Sequence, residues 1–172
     1  MIMRPGQQLL LPANPVFIWT SLLLALLVNL LPLGRTPWMP DPLALVLVFW
    51  SVHQPLRVGI GVGFAFGIVM DVHQAGLLGQ HALAYTTLSY FATTIHRRLL
   101  WFSVPSQALQ VLPLFFAAHA IELAVGMLAG GIFPGLSILL APVAESLLWP
   151  VVSVVLLAPQ RRAPDPDENR PL

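Results

Sequence analysis

The sequence predicts an all-α integral membrane protein, a bundle of six transmembrane helices. Three observations lead there. The 172 residues are 57% hydrophobic and only 9% charged, with a mean hydropathy of +0.81, which leaves too little charge to cover a water-soluble domain. Apolar runs recur along the chain at close to the length a bilayer requires, about 20 residues each. The arginines segregate to one side if the chain crosses six times.

In order, the first span is expected at Val16–Leu33. It is too long for a signal-peptide core and no small-residue cleavage site follows it, so it reads as a retained helix. The second, Pro42–Val52, is short and opens on Pro40-Asp41-Pro42. Three readings fit so short a span: it tilts little, it thins the bilayer locally, or it forms a re-entrant hairpin with its successor. The remaining spans are expected at Leu56–Val72, Gly76–Ile95, Gln107–Ala129 and Leu136–Leu157. Residues 1–160 thus make one transmembrane domain. The tail 161–172, RRAPDPDENRPL, is polar and proline-rich and is expected to be disordered and cytoplasmic.

With the N-terminus inside, six crossings place Arg4, Arg57, Arg97, Arg98, Arg161, Arg162 and Arg170 in the cytoplasm and only Arg35 outside, as the positive-inside rule demands. Both termini are then cytoplasmic. Trp19, Trp38, Trp101 and Trp149 fall near span ends, where interfacial anchors sit. Six spans use roughly 120 residues, so activity must reside in the helices, the short loops or a partner protein. A net charge of +1 gives no nucleic-acid footprint. The chain has no cysteine, which excludes disulfides and thiolate metal sites, and no lysine.

The acids are not scattered. Asp41, Asp71, Glu122 and Glu145 all fall from mid-depth outward, joined by His81 and His119. A carboxylate at the centre of a span costs about 2.5–3.5 kcal/mol to insert, so it faces protein or water. Gly59, Gly63, Gly67 and Asp71 recur every fourth residue and share one helix stripe. Such a stripe lets another backbone approach closely, within the chain or from a second molecule. Ala118, Glu122, Gly126 and Gly130 repeat the spacing in span five. Hydrogen bonding to nearby amides or a partner contact would explain Asp71. His119 and Glu122 share a face but are too few for a metal site, and interhelical bonding is favoured. His81 and Tyr85 form a local polar pair. Arg97, Arg98 and Trp101 serve as a topology signal or touch a cytoplasmic partner or anionic lipid. No nucleophile elbow, phosphate loop, dinucleotide fingerprint or H-E-x-x-H occurs, so neither catalysis nor a cofactor is expected.

The stretch Pro40–Arg98 resembles the MreD family of bacterial rod-shape-determining membrane proteins. The resemblance rests on PDPLALVLVFW (Pro40–Trp50), Pro55 with Gly59 and Gly63, AFGIVMD (Ala65–Asp71), GLLGQHAL (Gly76–Leu83), Tyr90 and Arg97. It implies an inner-membrane scaffold of the cell-elongation machinery that directs lateral peptidoglycan synthesis. The implied partner is MreC, a bitopic protein with a periplasmic domain. The actin-like MreB, the glycosyltransferase RodA and a class B penicillin-binding protein belong to the wider assembly, and a homodimer is a further option. The resemblance also implies a fold similar to the S components of energy-coupling-factor transporters. The alternative function is vitamin-type solute binding, motivated by the polar groups gathering in the outer half, where such a ligand would enter, with Ser21 and Ala25 as a small-residue pair for docking a coupling module. The candidate partner or structural residues are Gly59, Gly63, Gly67, Asp71, His81, Asp41, His119 and Glu122.

Overall fold

The computed structural model describes residues 13–31, 38–75 and 77–160. Arg4, Arg35 and the expected disordered tail, with Arg161, Arg162 and Arg170, lie outside the described residues. Six α-helices follow in order: α1 Pro15–Leu30, α2 Pro42–His53, α3 Ile60–Gln74, α4 Gln80–Leu99, α5 Val104–Leu128 and α6 Leu140–Leu157. Short 3-10 turns, Leu136–Leu139 and Ala158–Gln160, flank α6. No strand occurs among the described residues. Val104–Leu128 and the run Leu136–Gln160 are long and apolar enough to cross a membrane, while α1, α2 and α3 are shorter apolar helices.

Two helices start by the same device. Asn14 and Asp41 each precede a proline that occupies the first turn, and each side chain accepts a backbone N–H of that turn, from Val16 and Ala44. The proline has no N–H to leave unpaired there and its φ already suits a helix. Helix α2 stops at His53 because Gln54 leaves the helical region at φ −137°. The N–H groups of Arg57 and Val58 then turn back onto the Gln54 carbonyl, both at 2.9 Å. That turn takes up Pro55–Arg57, which delays α3 to Ile60 where Leu56 was expected. Helix α4 is shifted likewise, starting at Gln80 instead of Gly76.

Helix α2 forms the centre. Nine of its twelve residues are buried, from Leu43 to Val52, and it packs against α1, α4 and α6. At 1.5 Å per residue it is roughly 18 Å long. It does not form a hairpin with α3, which packs chiefly on α4. The ring is completed by α4 on α5 and α5 on α6. Phe49, Trp50, Tyr85, Phe115 and Trp149 fill the core. Trp149 corrects the expected set of interfacial anchors: it is fully buried, and its indole N–H donates to Gln107 Oε1 at 3.2 Å. Trp19, Trp38 and Trp101 are exposed. Ser21 and Ala25 also face inward. Ser21 Oγ accepts the Trp50 indole N–H at 2.8 Å and Ala25 is buried, so this pair packs within the chain and is not open to a coupling module.

Candidate functional site

The glycine stripe divides at the start of α3. Gly59 caps the helix from outside it, so only Gly63 and Gly67 present their faces to α4. A Cβ at Gly63 would lie 2.7 Å from the Tyr85 carbonyl, and one at Gly67 would run into the Ala82 backbone and lie 2.7 Å from the His81 carbonyl. Both glycines are therefore required for backbone contact between α3 and α4 of the same chain. Gly61 faces open space.

That contact delivers Asp71 to the start of α4. Gly79, at φ +104°, turns the chain into α4 but has no side chain to cap it. Asp71 caps it from the neighbouring helix. Its carboxylate accepts the N–H of Gly79 at 2.8 Å, His81 at 2.7 Å and Ala82 at 3.2 Å. His81 Nδ1 lies 2.9 Å from Asp71 Oδ1, and His81 Nε2 lies 2.9 Å from Gln74 Nε2. A helix start carries unpaired N–H groups and a positive partial charge, so a carboxylate is the fitting cap. Asp71 is only 1% exposed, and these bonds compensate its removal from water.

A second group lies at the same end. Asp41 accepts from Asn29 Nδ2 of α1 at 2.6 Å, from Ala44 N of α2 at 3.0 Å and from the Tyr85 hydroxyl of α4. Its own N–H donates to Glu145 Oε1 of α6 at 2.9 Å. One residue thus ties four helices. Glu145 is fully buried, and its Oε1 also lies 3.2 Å from His119 Nε2 of α5. His119 Nδ1 is 3.9 Å from Glu122 Oε2, and the Glu122 carbonyl accepts from Gln80 Nε2 of α4 at 3.1 Å.

The expected residues therefore assemble in two adjoining groups, Asp71 with His81 and Asp41 with His119 and Glu122. Gly59 stands apart, at the opposite end of α3. Tyr85 meets His81 edge-to-face, ring centroids 6.0 Å apart, but its hydroxyl goes to Asp41. Gly130 lies beyond the end of α5, so the repeated spacing in that span breaks there. Glu145 was placed among the outer acids without being singled out, although it links Asp41 to His119. Asn29 had no signal in the sequence beyond being the one amide in an apolar span. No group of three or more His, Cys, Asp or Glu among the described residues is arranged to hold a metal ion.

The model for the family described as rod shape-determining protein MreD matches residues 13–161. The chain belongs to the MreD family. A curated relative from Haemophilus influenzae named rod shape-determining protein MreD is 29% identical over 131 residues, covering 76% of this chain and 81% of the relative. No solved structure matches the chain, so the expected likeness to S components gains no support. MreD is a shape-determining membrane family, not an enzyme family, and the two long apolar helices agree with that setting.

Proposed function

We propose that this chain is a multi-pass scaffold of the bacterial inner membrane, which supports rod shape and lateral peptidoglycan synthesis by associating with MreC. MreB, RodA and a class B penicillin-binding protein are the wider assembly, and membrane lipid surrounds the bundle. Residues 1–160 act as one embedded unit. The supporting observation is the use made of the polar groups. Asp71 and Asp41 accept backbone amides, an amide side chain and a hydroxyl from neighbouring helices, which builds a rigid shape and leaves those oxygens little capacity for a solute. This, with the inward-facing Ser21 and Ala25, argues against solute binding as the function.

Charge supports the orientation. Helices α2 and α4 both start at the acidic cluster, so Arg57, Arg97 and Arg98 come at the far end of the bundle, as cytoplasmic residues should. Both termini are then cytoplasmic. Pull-down from membranes with tagged MreC tests the association. The chain is expected to co-purify in detergent; its consistent absence from MreC eluates, with both proteins present in the membrane, would overturn this reading.

A further inference from the structure

Helix α4 has an outer face that the rest of the chain leaves uncovered. It packs on α2, α3 and α5. The side turned away from them exposes Leu83, Tyr90, Thr94 and Arg97, with Thr87 half-buried among them. Steps of three and four residues put these five on one stripe. At mid-length α1 and α6 turn apolar side chains outward, Leu23 and Leu24 on one and Leu147, Val151 and Val154 on the other, as lipid requires. Helix α4 is 20 residues long, yet it is not among the helices apolar enough to cross a membrane. Tyr90 is 50% exposed. It lies roughly 15 Å along the helix from Gln80 and roughly 14 Å from Leu99, away from the membrane surfaces where tyrosine hydroxyls meet water. Helical side chains lean toward the helix start, so the ring does not reach back to the cytoplasmic surface at Arg97. The Tyr85 hydroxyl is taken by Asp41, whereas the Tyr90 hydroxyl has no partner among the described residues.

We propose that this face of α4, from Leu83 to Arg97, receives the single membrane helix of a partner protein. That helix carries a hydroxyl or amide side chain opposite Tyr90 and a carboxylate near its cytoplasmic end, opposite Arg97. Thr87 and Thr94 donate their own protons to the carbonyls of Leu83 and Tyr90, at 2.9 and 2.8 Å. Their oxygens are left as acceptors on the outer face, beside a Tyr90 hydroxyl that can donate or accept. Lipid tails match neither, whereas a helix bearing a hydroxyl or amide matches both. At the foot of the stripe Arg97 and Arg98 are exposed, while Asp41, Asp71, Glu122 and Glu145 lie at the other end of the bundle. That charge decides the occupant. A second copy docked through the same face, in the same orientation, would set like arginines against each other; a carboxylate complements them. The inference rests on the scaffold reading and names the surface that the partner covers.

The test is Thr94→Trp, scored two ways. Thr94 is exposed and its hydroxyl bonds only within its own turn, so the purified variant should keep the wild-type melting temperature in detergent. Recovery of the chain with tagged MreC from membranes should fall by roughly tenfold or more, the scale of overpacking a close contact. Val151→Trp, on the exposed face of α6, should leave recovery unchanged. Tyr90→Phe should lower it about threefold, the size of one interhelical hydrogen bond in a membrane. Arg97→Gln should lower it as well, and full recovery there would contradict the carboxylate. Full recovery of Thr94→Trp would refute the inference and leave the scaffold reading intact. An equal loss with Val151→Trp would also refute it, as would a Thr94 variant that melts well below wild type, since Thr94 would then be structural. Thr94→Cys in this cysteine-free chain checks for a second copy: rapid disulfide-linked dimers in the membrane would put another copy of the chain in the partner's place. Absence of the wild-type chain from MreC eluates would sink both readings.

Discussion

Asp71 illustrates how a membrane carboxylate becomes tolerable: three backbone N–H groups and an imidazole surround it. Asp71→Asn keeps the shape but turns an NH2 toward amide donors. It should destabilise the chain by about 1.5–3 kcal/mol, the range for hydrogen bonds to a charged group, read as a lower melting temperature in detergent. An unchanged midpoint would show that the cap contributes nothing. Tyr85→Phe removes the hydroxyl that donates to Asp41 and leaves a carboxylate oxygen short of a partner. A loss of about 1–3 kcal/mol is expected in the same measurement. The presence of these acids in apolar helices was legible in the sequence. That Asp71 takes backbone amides was among the readings the sequence offered; which amides was not legible, because they belong to a helix start read at Gly76 and found at Gln80. Likewise Glu145 carries no motif, and only the fold brings it against Asp41, more than a hundred residues earlier.

Among the elements, the pairing of α3 with α4 depends on two glycines. Gly67→Leu would force the helices apart, at a cost of about 1–3 kcal/mol or more for overpacking. Gly61→Leu points into open space and should leave the unfolding midpoint near wild type. Equal losses at the two positions would contradict the packing. The four-residue spacing made Gly63 and Gly67 visible in advance. It also included Gly59, because spacing does not reveal that Pro55–Arg57 form a turn and postpone the helix. The buried position of α2 was legible only as a shortage of length. A 12-residue helix surrounded by α1, α4 and α6 has little lipid to match, which periodicity alone does not convey. Trp149 went unrecognised for a similar reason: its depth is set by Gln107 on the preceding helix.

At the scale of the molecule, polarity among the described residues is divided between the two ends, with Asp41, Asp71, Glu122, Glu145, His81 and His119 at one and Arg57, Arg97 and Arg98, with His53 and His96, at the other. The natural absence of cysteine makes orientation directly measurable. Trp38→Cys should react with an impermeant maleimide from the periplasmic side, and Ser103→Cys only after the membrane is opened. The reverse pattern would invert the topology. The all-helical class and the family were legible because hydropathy and the Pro40–Arg98 motifs are local properties, whereas the network around Asp41 depends on four helices meeting. Depletion of the chain, followed by imaging of cell outline and labelled MreC, tests the central claim most directly. The account predicts that cells round up as MreC disperses from the cylinder wall, and that re-expression restores both. Cells that stay rod-shaped, with MreC still in place, would contradict it.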